Sequence, residues 1–295
     1  MKMMLALLAA TAITATANAA TIPDSVAAMI DAAAGDPAQL KTIADIAKKT
    51  NPGAAAEIDA KVAALTKAQA DAKDAKLAEQ GVLEGWSGSG EAGAFLSTGN
   101  TDTQGVAIGV TVAKETRKWK HSLRGFVDYQ RQDGVTTRER YLAAYQGNYN
   151  ITPSLYALAT LSYERDEFSG FSRRFAESIG FGYKAINTAA FKLDVEAGPA
   201  LRQTQFTDGY EDNAFAARGA GNFLWVISPG YEFSENAVVF YDSYNTSFMS
   251  LTALTAKLNG SLSARASFQF NSESNPPLGR KSSDTVSRIT VVYSF

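Results

Sequence analysis

From Trp86 to the last residue, hydrophobic and polar positions alternate one for one in stretch after stretch. In VAIGVTV, Val106, Ile108, Val110 and Val112 share one parity, and Gly105, Ala107, Gly109 and Thr111 the other. WKHSLRGFVDYQ sets Trp119, His121, Leu123, Val127 and Tyr129 against Lys120, Ser122, Arg124, Asp128 and Gln130. FKLDVEAG sets Phe191, Leu193, Val195 and Ala197 against Lys192, Asp194, Glu196 and Gly198. Strand side chains point alternately to the two faces of a sheet, so a period of two predicts strands with one apolar face and one polar, charge-bearing face.

About twelve such strands are expected, at approximately 86 to 98, 103 to 115, 118 to 131, 137 to 150, 154 to 167, 172 to 185, 190 to 206, 213 to 233, 236 to 248, 250 to 258, 261 to 273 and 283 to 295. Pro229-Gly230 inside the eighth implies a bulge or a displaced boundary. The connections alternate in length: TRK, ITP, INTA, SEN and the hairpin-forming pair Asn259-Gly260 on one side, RQDGVTT, RDEFSGFSR, FTDGYEDN and SESNPPLGRKSSD on the other. Short turns opposite long loops, an even strand number, and tyrosines and tryptophans near strand ends (Trp86, Trp119, Tyr149, Tyr183, Trp225, Tyr293) are the pattern of an outer-membrane barrel with aromatic girdles. A soluble sandwich or lipocalin-like barrel would turn its apolar faces inward, and the many charges and glycines on the polar face count against it. The expected fold is all-β: an antiparallel transmembrane β-barrel over 86 to 295.

Ahead of it the pattern is helical. Residues 21 to 85 are Ala-rich and contain no aromatic residue. Asp24 can start a helix through Ala34, Asp36-Pro37 looks like N-cap and N1 of a second ending near Lys49, and a third follows Asn51-Pro52-Gly53. At 1.5 Å per residue the third would reach roughly 40 Å. Its apolar stripe is thin (Ile58, Val62, Leu65), which suggests a solvated helical extension or a weak coiled coil. Residues 1 to 19 read as a secretory signal, with Lys2, the apolar run MLALLAATAITA and an A-x-A site at Ala17-Asn18-Ala19. The expected domains are therefore a signal over 1 to 19, a helical periplasmic extension over 20 to 85 and the barrel.

The opening of the barrel, GWSGSGEAGAFLSTGNTDTQG, resembles that of a domain-of-unknown-function family of salt-induced outer-membrane proteins, and NSESNPPLGRKSSDTVSRITVVYSF is similar to that family's ending. The resemblance covers about residues 84 to 295 and implies an outer-membrane barrel with no settled activity, leaving the Ala-rich segment outside it. It also implies that the last strand, ending in Val291, Tyr293 and Phe295, is an assembly signal read by the barrel assembly machinery.

Composition narrows the chemistry. No cysteine is present, so disulfides, zinc-thiolate sites and thiol nucleophiles are excluded. A formal charge of -2 without a basic block argues against nucleic acid. His121 is the single histidine and falls on the apolar face beside Trp119; a lipid-modifying enzyme would have to rest on it, and an interfacial aromatic role explains it better. Asp208, Glu211 and Asp212 in TDGYEDN are hard oxygen ligands without EF-hand spacing, so no metal site is expected. Arg165, Arg173 and Arg174 are candidates for lipopolysaccharide phosphates, or for pairing with the adjacent Asp166 and Glu167. Glu177 falls on the lipid side beside Phe175 and Ile179, which requires either a rim position or a register shifted by one.

The lumen face carries the most chemistry: Lys120, Arg124, Arg138, Arg140, Arg174, Lys192, Arg202, Arg218, Lys257, Arg265 and Arg288 against Glu91, Asp128, Glu164, Asp194 and Glu196. If these pair across strands the barrel is a salt-bridged stave; if a basic surplus lines water it is a narrow pore with a mild anion preference. The expected role is a narrow channel or an envelope-structural protein without catalytic residues or cofactors. Its partners would be outer-membrane lipid and lipopolysaccharide, with peptidoglycan or a periplasmic protein on residues 21 to 80.

Overall fold

The computed structural model describes residues 21–97 and 103–295; the signal segment and most of the STGNTDT turn lie outside the described residues. The chain divides into two compact units, one up to Lys76 and one from Leu77 to Phe295. No helix among the described residues is long and apolar enough to cross a membrane, which leaves crossing by strands open.

The first unit contains α1 (Asp24–Ala32), α2 (Pro37–Thr50), a single 3₁₀ turn (Pro52–Ala54) and all but the last residues of α3 (Ala55–Glu79). Asp24 sits inside the first turn of α1 rather than at its cap, whereas Asp36 Oδ1 accepts from the Gln39 amide in the manner of an N-cap. The helices bury Ile30, Ala33, Leu40, Ala44, Ala47, Ala54 and Ile58 together, with Val62 and Leu65 packed against them. The thin stripe of α3 is thus part of a small shared core. Small side chains let the helices pack closely there, while the rest of α3 is polar and exposed.

The second unit is a closed antiparallel barrel of twelve strands: β1 (Trp86–Ser97), β2 (Thr103–Glu115), β3 (Trp119–Gln132), β4 (Val135–Asn150), β5 (Leu155–Asp166), β6 (Phe171–Asn187), β7 (Phe191–Phe206), β8 (Glu211–Ser228), β9 (Tyr231–Tyr241), β10 (Thr246–Lys257), β11 (Leu262–Glu273) and β12 (Ser283–Ser294). Each strand pairs with its sequence neighbours. β1 closes on β12 through Ser89↔Ser294 to Ala92↔Val291 and through reciprocal backbone bonds between Gly88 and Phe295 (3.0 and 2.9 Å). Closure leaves no free edge, the condition for a sheet to stand in lipid.

Connection lengths differ from expectation. RQDGVTT is not a long loop: β3 and β4 run into it and turn at Asp133-Gly134, both with positive φ, the pair a two-residue hairpin favours. Asn259-Gly260 lies inside a four-residue turn in which Asn259 Oδ1 accepts from the Ser261 and Leu262 amides. The eighth and ninth strands are corrected as well. Pro229-Gly230 is itself the turn, with Gly230 at φ 94°, and SEN lies within β9. One long connection remains among the described residues, 274–282 between β11 and β12. The rim that carries it is termed the loop rim here, and the rim where β1 begins the base rim.

The wall is apolar outside and polar inside. Val106, Ile108 and Val110, Phe175, Ile179 and Phe181, and Ile289, Val291 and Tyr293 are exposed on the outer face. Near the base rim that face carries ring contacts Trp119–Tyr149 (5.1 Å), Phe191–Trp225 (5.9 Å) and Tyr293–Phe295 (6.3 Å), and towards the loop rim Tyr163–Phe175 (5.1 Å). Glu177 is exposed on this outer wall, in register between Leu161 and Leu201 and two residues from Phe175, so the register of β6 is the expected one.

One glycine shapes the interior. Tyr156, fully buried, sits against Gly182, where an added Cβ would lie 2.1 Å from the ring; only glycine leaves room for the ring at that point.

Candidate functional site: a charged lumen

Alternation sends every second side chain of each strand into the barrel, and closure brings charges from distant strands within reach. Asp128 of β3 accepts from Arg138 Nε on neighbouring β4 (2.8 Å) and from Arg288 Nη2 on β12 (2.5 Å). Arg265 of β11 meets Glu91 of β1 at 3.0 Å, and Arg140 of β4 meets Glu164 of β5 at 2.6 Å. Towards the base rim, Glu196 of β7 accepts from Arg218 (3.0 Å), Gln146 (2.8 Å) and the Tyr156 hydroxyl (3.0 Å). Buried carboxylates are held by several donors at once, the condition for a charge to be tolerated away from bulk water.

Two contacts cross the lumen. Arg174 of β6 reaches Glu273 of β11 at 2.8 Å, and Glu273 is also held by Asn245 and Ser247. Arg140 Nη2 lies 3.9 Å from Met249 Sδ on β10. Above them the connection 274–282 reaches across the loop rim to the 3₁₀ turn Glu167–Ser169: Arg280 donates to the Glu167 carbonyl (3.0 Å), and Pro277 packs against Gly170 so closely that a Cβ there would meet it at 2.7 Å. Arg202 of β7 is buried beside Asp242 (3.4 Å) and Ser247 (2.8 Å). Between these crossings lies a cavity of about 540 Å³, lined among others by Arg124, Arg140, Arg202 and Arg265.

Of the residues expected in the lumen, Asp128, Arg140, Glu196, Arg202, Arg265 and Arg288 thus lie in ion pairs inside the barrel. Arg124 lines the cavity without an ion pair among the described residues. Lys120 is exposed near the base rim, and Asp194 lies there in register with Lys184. Phe295, Tyr293 and Val291 lie on the outer wall, with Phe295 at the base rim. His121 also faces outwards: Nδ1 is 2.8 Å from the Tyr145 hydroxyl and the ring stacks on Trp119, so it forms part of an aromatic cluster near the base rim. Arg165 pairs with Glu167 and Arg173 with Glu211, while Arg174 turns inwards. Asp208 binds the Tyr210 amide in its own turn, and no group of three metal-ligating side chains occurs among the described residues.

Glu273, Asp242 and Tyr156 are further lumen groups that sequence reasoning missed. Tyr156 sits at an inward position, and alternation through its neighbours Ala157 and Leu158 does not mark it as polar. The inward Val238 shares its parity with the polar Ser234 and Asn236, and the displaced strand limits of β9 and β10 hid this face from the sequence.

An inside-out twelve-stranded barrel filled with arginine–carboxylate pairs defines a protein of the membrane-barrel class. The chain belongs to the family described as a protein of unknown function, DUF481, whose model matches residues 90–295. No curated protein matches the sequence. Among solved structures it is similar to a NanC porin (10% identity, 70% of this chain and 100% of that chain, TM-score 0.47) and to an outer membrane channel from Pseudomonas putida F1 (8% identity, 73% and 97%, TM-score 0.45). It is also similar to the translocator domain of the autotransporter NalP from Neisseria meningitidis (13% identity, 78% and 97%, TM-score 0.40). At such identities the likeness concerns the fold.

Proposed function

We propose that this chain is an outer-membrane barrel acting as a narrow solute channel, with the base rim and the helical unit on the periplasmic side. The observation that carries the reading is the cavity of about 540 Å³, lined by guanidinium groups, inside a wall whose outer face is apolar. The Arg174–Glu273 and Arg140–Met249 crossings and the 274–282 connection narrow the path, so conductance is small and gated near the loop rim. On this reading the protein is not an enzyme, and His121→Ala leaves lipid turnover unchanged. Lipid and lipopolysaccharide surround the wall, the assembly machinery reads Val291, Tyr293 and Phe295, and the helical unit, with a core of its own, serves as a tether to peptidoglycan or a periplasmic partner. The salt-induced type suggested by the strand motifs belongs to the same reading, and expression should rise after an osmotic upshift.

The test is recording from the purified full chain in planar bilayers. Discrete small steps with an anion preference are expected, and Glu273→Gln, which releases the crossing at Arg174, should enlarge them. Absence of any step in both proteins sinks the channel reading and leaves an envelope-structural role.

A further inference from the structure

The lumen arginines are matched to carboxylates with one exception. Arg138, Arg140, Arg174, Arg202, Arg218, Arg265 and Arg288 each have a carboxylate within 4 Å; Arg124 has none among the described residues. The charges that act on it through space are Glu91, already held by Arg265, and the cations Arg140, Arg265 and Arg288. A guanidinium offers five donors in a rigid fork, for which the described residues supply no carboxylate, and surrounding cations add to the attraction for an anion. The neighbours leave room for one. Arg124 is flanked in register by Thr111 and Ala144, and the hydroxyls of Ser89, Thr111 and Ser122 line the same cavity.

The opposite wall mixes apolar and polar side chains. β9 lies six strands from β3 in the ring of twelve, hence across the lumen, and there β9 and β10 turn Val238, Leu251 and Ala253 into the cavity together with Ser234 and Asn236. Val238 and Leu251 lie on adjacent strands, with the Arg140–Met249 contact beside them. Apolar side chains at the cavity offer a surface against which burying an apolar ligand is favourable. A cavity of about 540 Å³ falls in the range of small-molecule sites, which combine an apolar surface with a few placed polar groups.

We infer that the lumen binds a small amphipathic monocarboxylate, its carboxylate on the Arg124 guanidinium and its apolar body against Val238 and Leu251. This rests on the channel reading only in that solute reaches the lumen, and it names the class of solute that dwells there. A bidentate arginine–carboxylate contact is a directional pair of charge-assisted hydrogen bonds. It distinguishes a carboxylate from its neutral amide, and the apolar wall distinguishes a hydrophobic acid from acetate.

The experiment is titration calorimetry of the full chain in detergent micelles, with benzoate, benzamide and acetate as probes and empty micelles as blank. One benzoate per barrel is expected, bound about tenfold or more tightly than benzamide or acetate, the margin of a charged hydrogen bond. Arg124→Gln should abolish the preference for benzoate over benzamide, and Arg124→Lys should keep part of it. Leu251→Asn should weaken benzoate several-fold and leave acetate unchanged. Heat-modifiable migration checks that each variant is folded; if Arg124→Gln is not, the wild-type probe ranking and Leu251→Asn decide. Equal affinities for benzoate and benzamide, no heat above that of empty micelles, or unchanged benzoate binding in folded Arg124→Gln would each overturn the inference. Chloride displacing benzoate at equal concentration would reduce the site to a general anion site and overturn the assignment of solute class. Binding in micelles needs no current: a barrel that conducts but ignores benzoate sinks this inference alone, and one that binds benzoate without conducting sinks the channel reading alone.

Discussion

In the helical unit Ile30 and Ile58 are 0% exposed, whereas in the barrel Ile108, Ile179 and Ile289 are 53%, 65% and 81% exposed. The same side chain is buried in one unit and displayed in the other because each unit is ordered against a different medium. The helices hide apolar groups from water, and their core is alanine, leucine and isoleucine. The barrel wall faces an apolar medium, so its interior is where polar groups collect, and ion pairs such as Arg218–Glu196 take the place of a hydrophobic core. A buried pair of this kind contributes through mutual satisfaction; loss of one partner costs more than the pair adds. Patterns of opposite sense thus stand in one chain on either side of residue 80.

Four perturbations break or sharpen that contrast, in falling order of effect. Arg218→Leu leaves the Glu196 carboxylate buried with only Gln146 and Tyr156 as donors, and should destabilise the barrel by about 3–5 kcal/mol, read by urea unfolding in micelles. If the variant is as stable as the parent, the lumen pairs do not act as the barrel's core. Ile108→Arg puts a charge in the middle of β2 on the outer wall and should cost about 2–4 kcal/mol of insertion into vesicles, with the helical signal in far-UV circular dichroism unchanged. An inserted variant of parental stability would show that this wall does not face lipid.

The third compares like with like. Ile58→Val removes one buried methylene and should cost the helical unit about 0.5–1.5 kcal/mol, whereas Ile108→Val on the exposed wall should cost far less. Thermal melts of the two variants decide it, and equal losses would refute the inverted packing. The smallest effect concerns Lys48, whose Nζ is 2.9 Å from Asp59 and 3.7 Å from Asp45. The hydrogen bond and charge of Asp59 hold the ammonium above its ordinary value of 10.5. The folded pKa is the higher one, so this contribution is complete below 10.5 and fades as pH rises through the folded value. Lys48→Met should flatten the alkaline end of the helical unit's stability profile, and a profile that keeps its slope would remove the linkage.

Much of the fold was legible because a period of two survives closure. The middles of β2, β3 and β7 expose and hide the residues that alternation assigns to each face, as with Ile108 against Ala107 and Gly109, Leu123 against Phe126 and Asp128, and Leu201 against Ala200 and Arg202. Strand limits failed where the interior itself is polar. Ser234-Glu235-Asn236 looks like a turn, yet Ser234 and Asn236 point into the polar lumen, and Glu235 on the outer wall accepts from Thr252. In a soluble sheet such a run would end the strand; here it lies within β9. The helical core was half hidden for another reason. Alanines at closely packed positions bury little area each, so the stripe looked thinner than the packing it supports.

Sequence alone determined the change from helical to strand pattern near residue 86, the twelve strands, and which face of a strand meets which medium, because these follow from local periodicity and composition. Only the tertiary structure decided which charges meet. Arg288 finds Asp128 across 160 residues and Arg265 finds Glu91 across 174, through a ring closure whose register no single strand encodes. That closure left Arg124 as the lumen arginine without a carboxylate of its own among the described residues and set it across from Val238 and Leu251. The charge was visible in the sequence; its lack of a partner became visible only when the barrel closed.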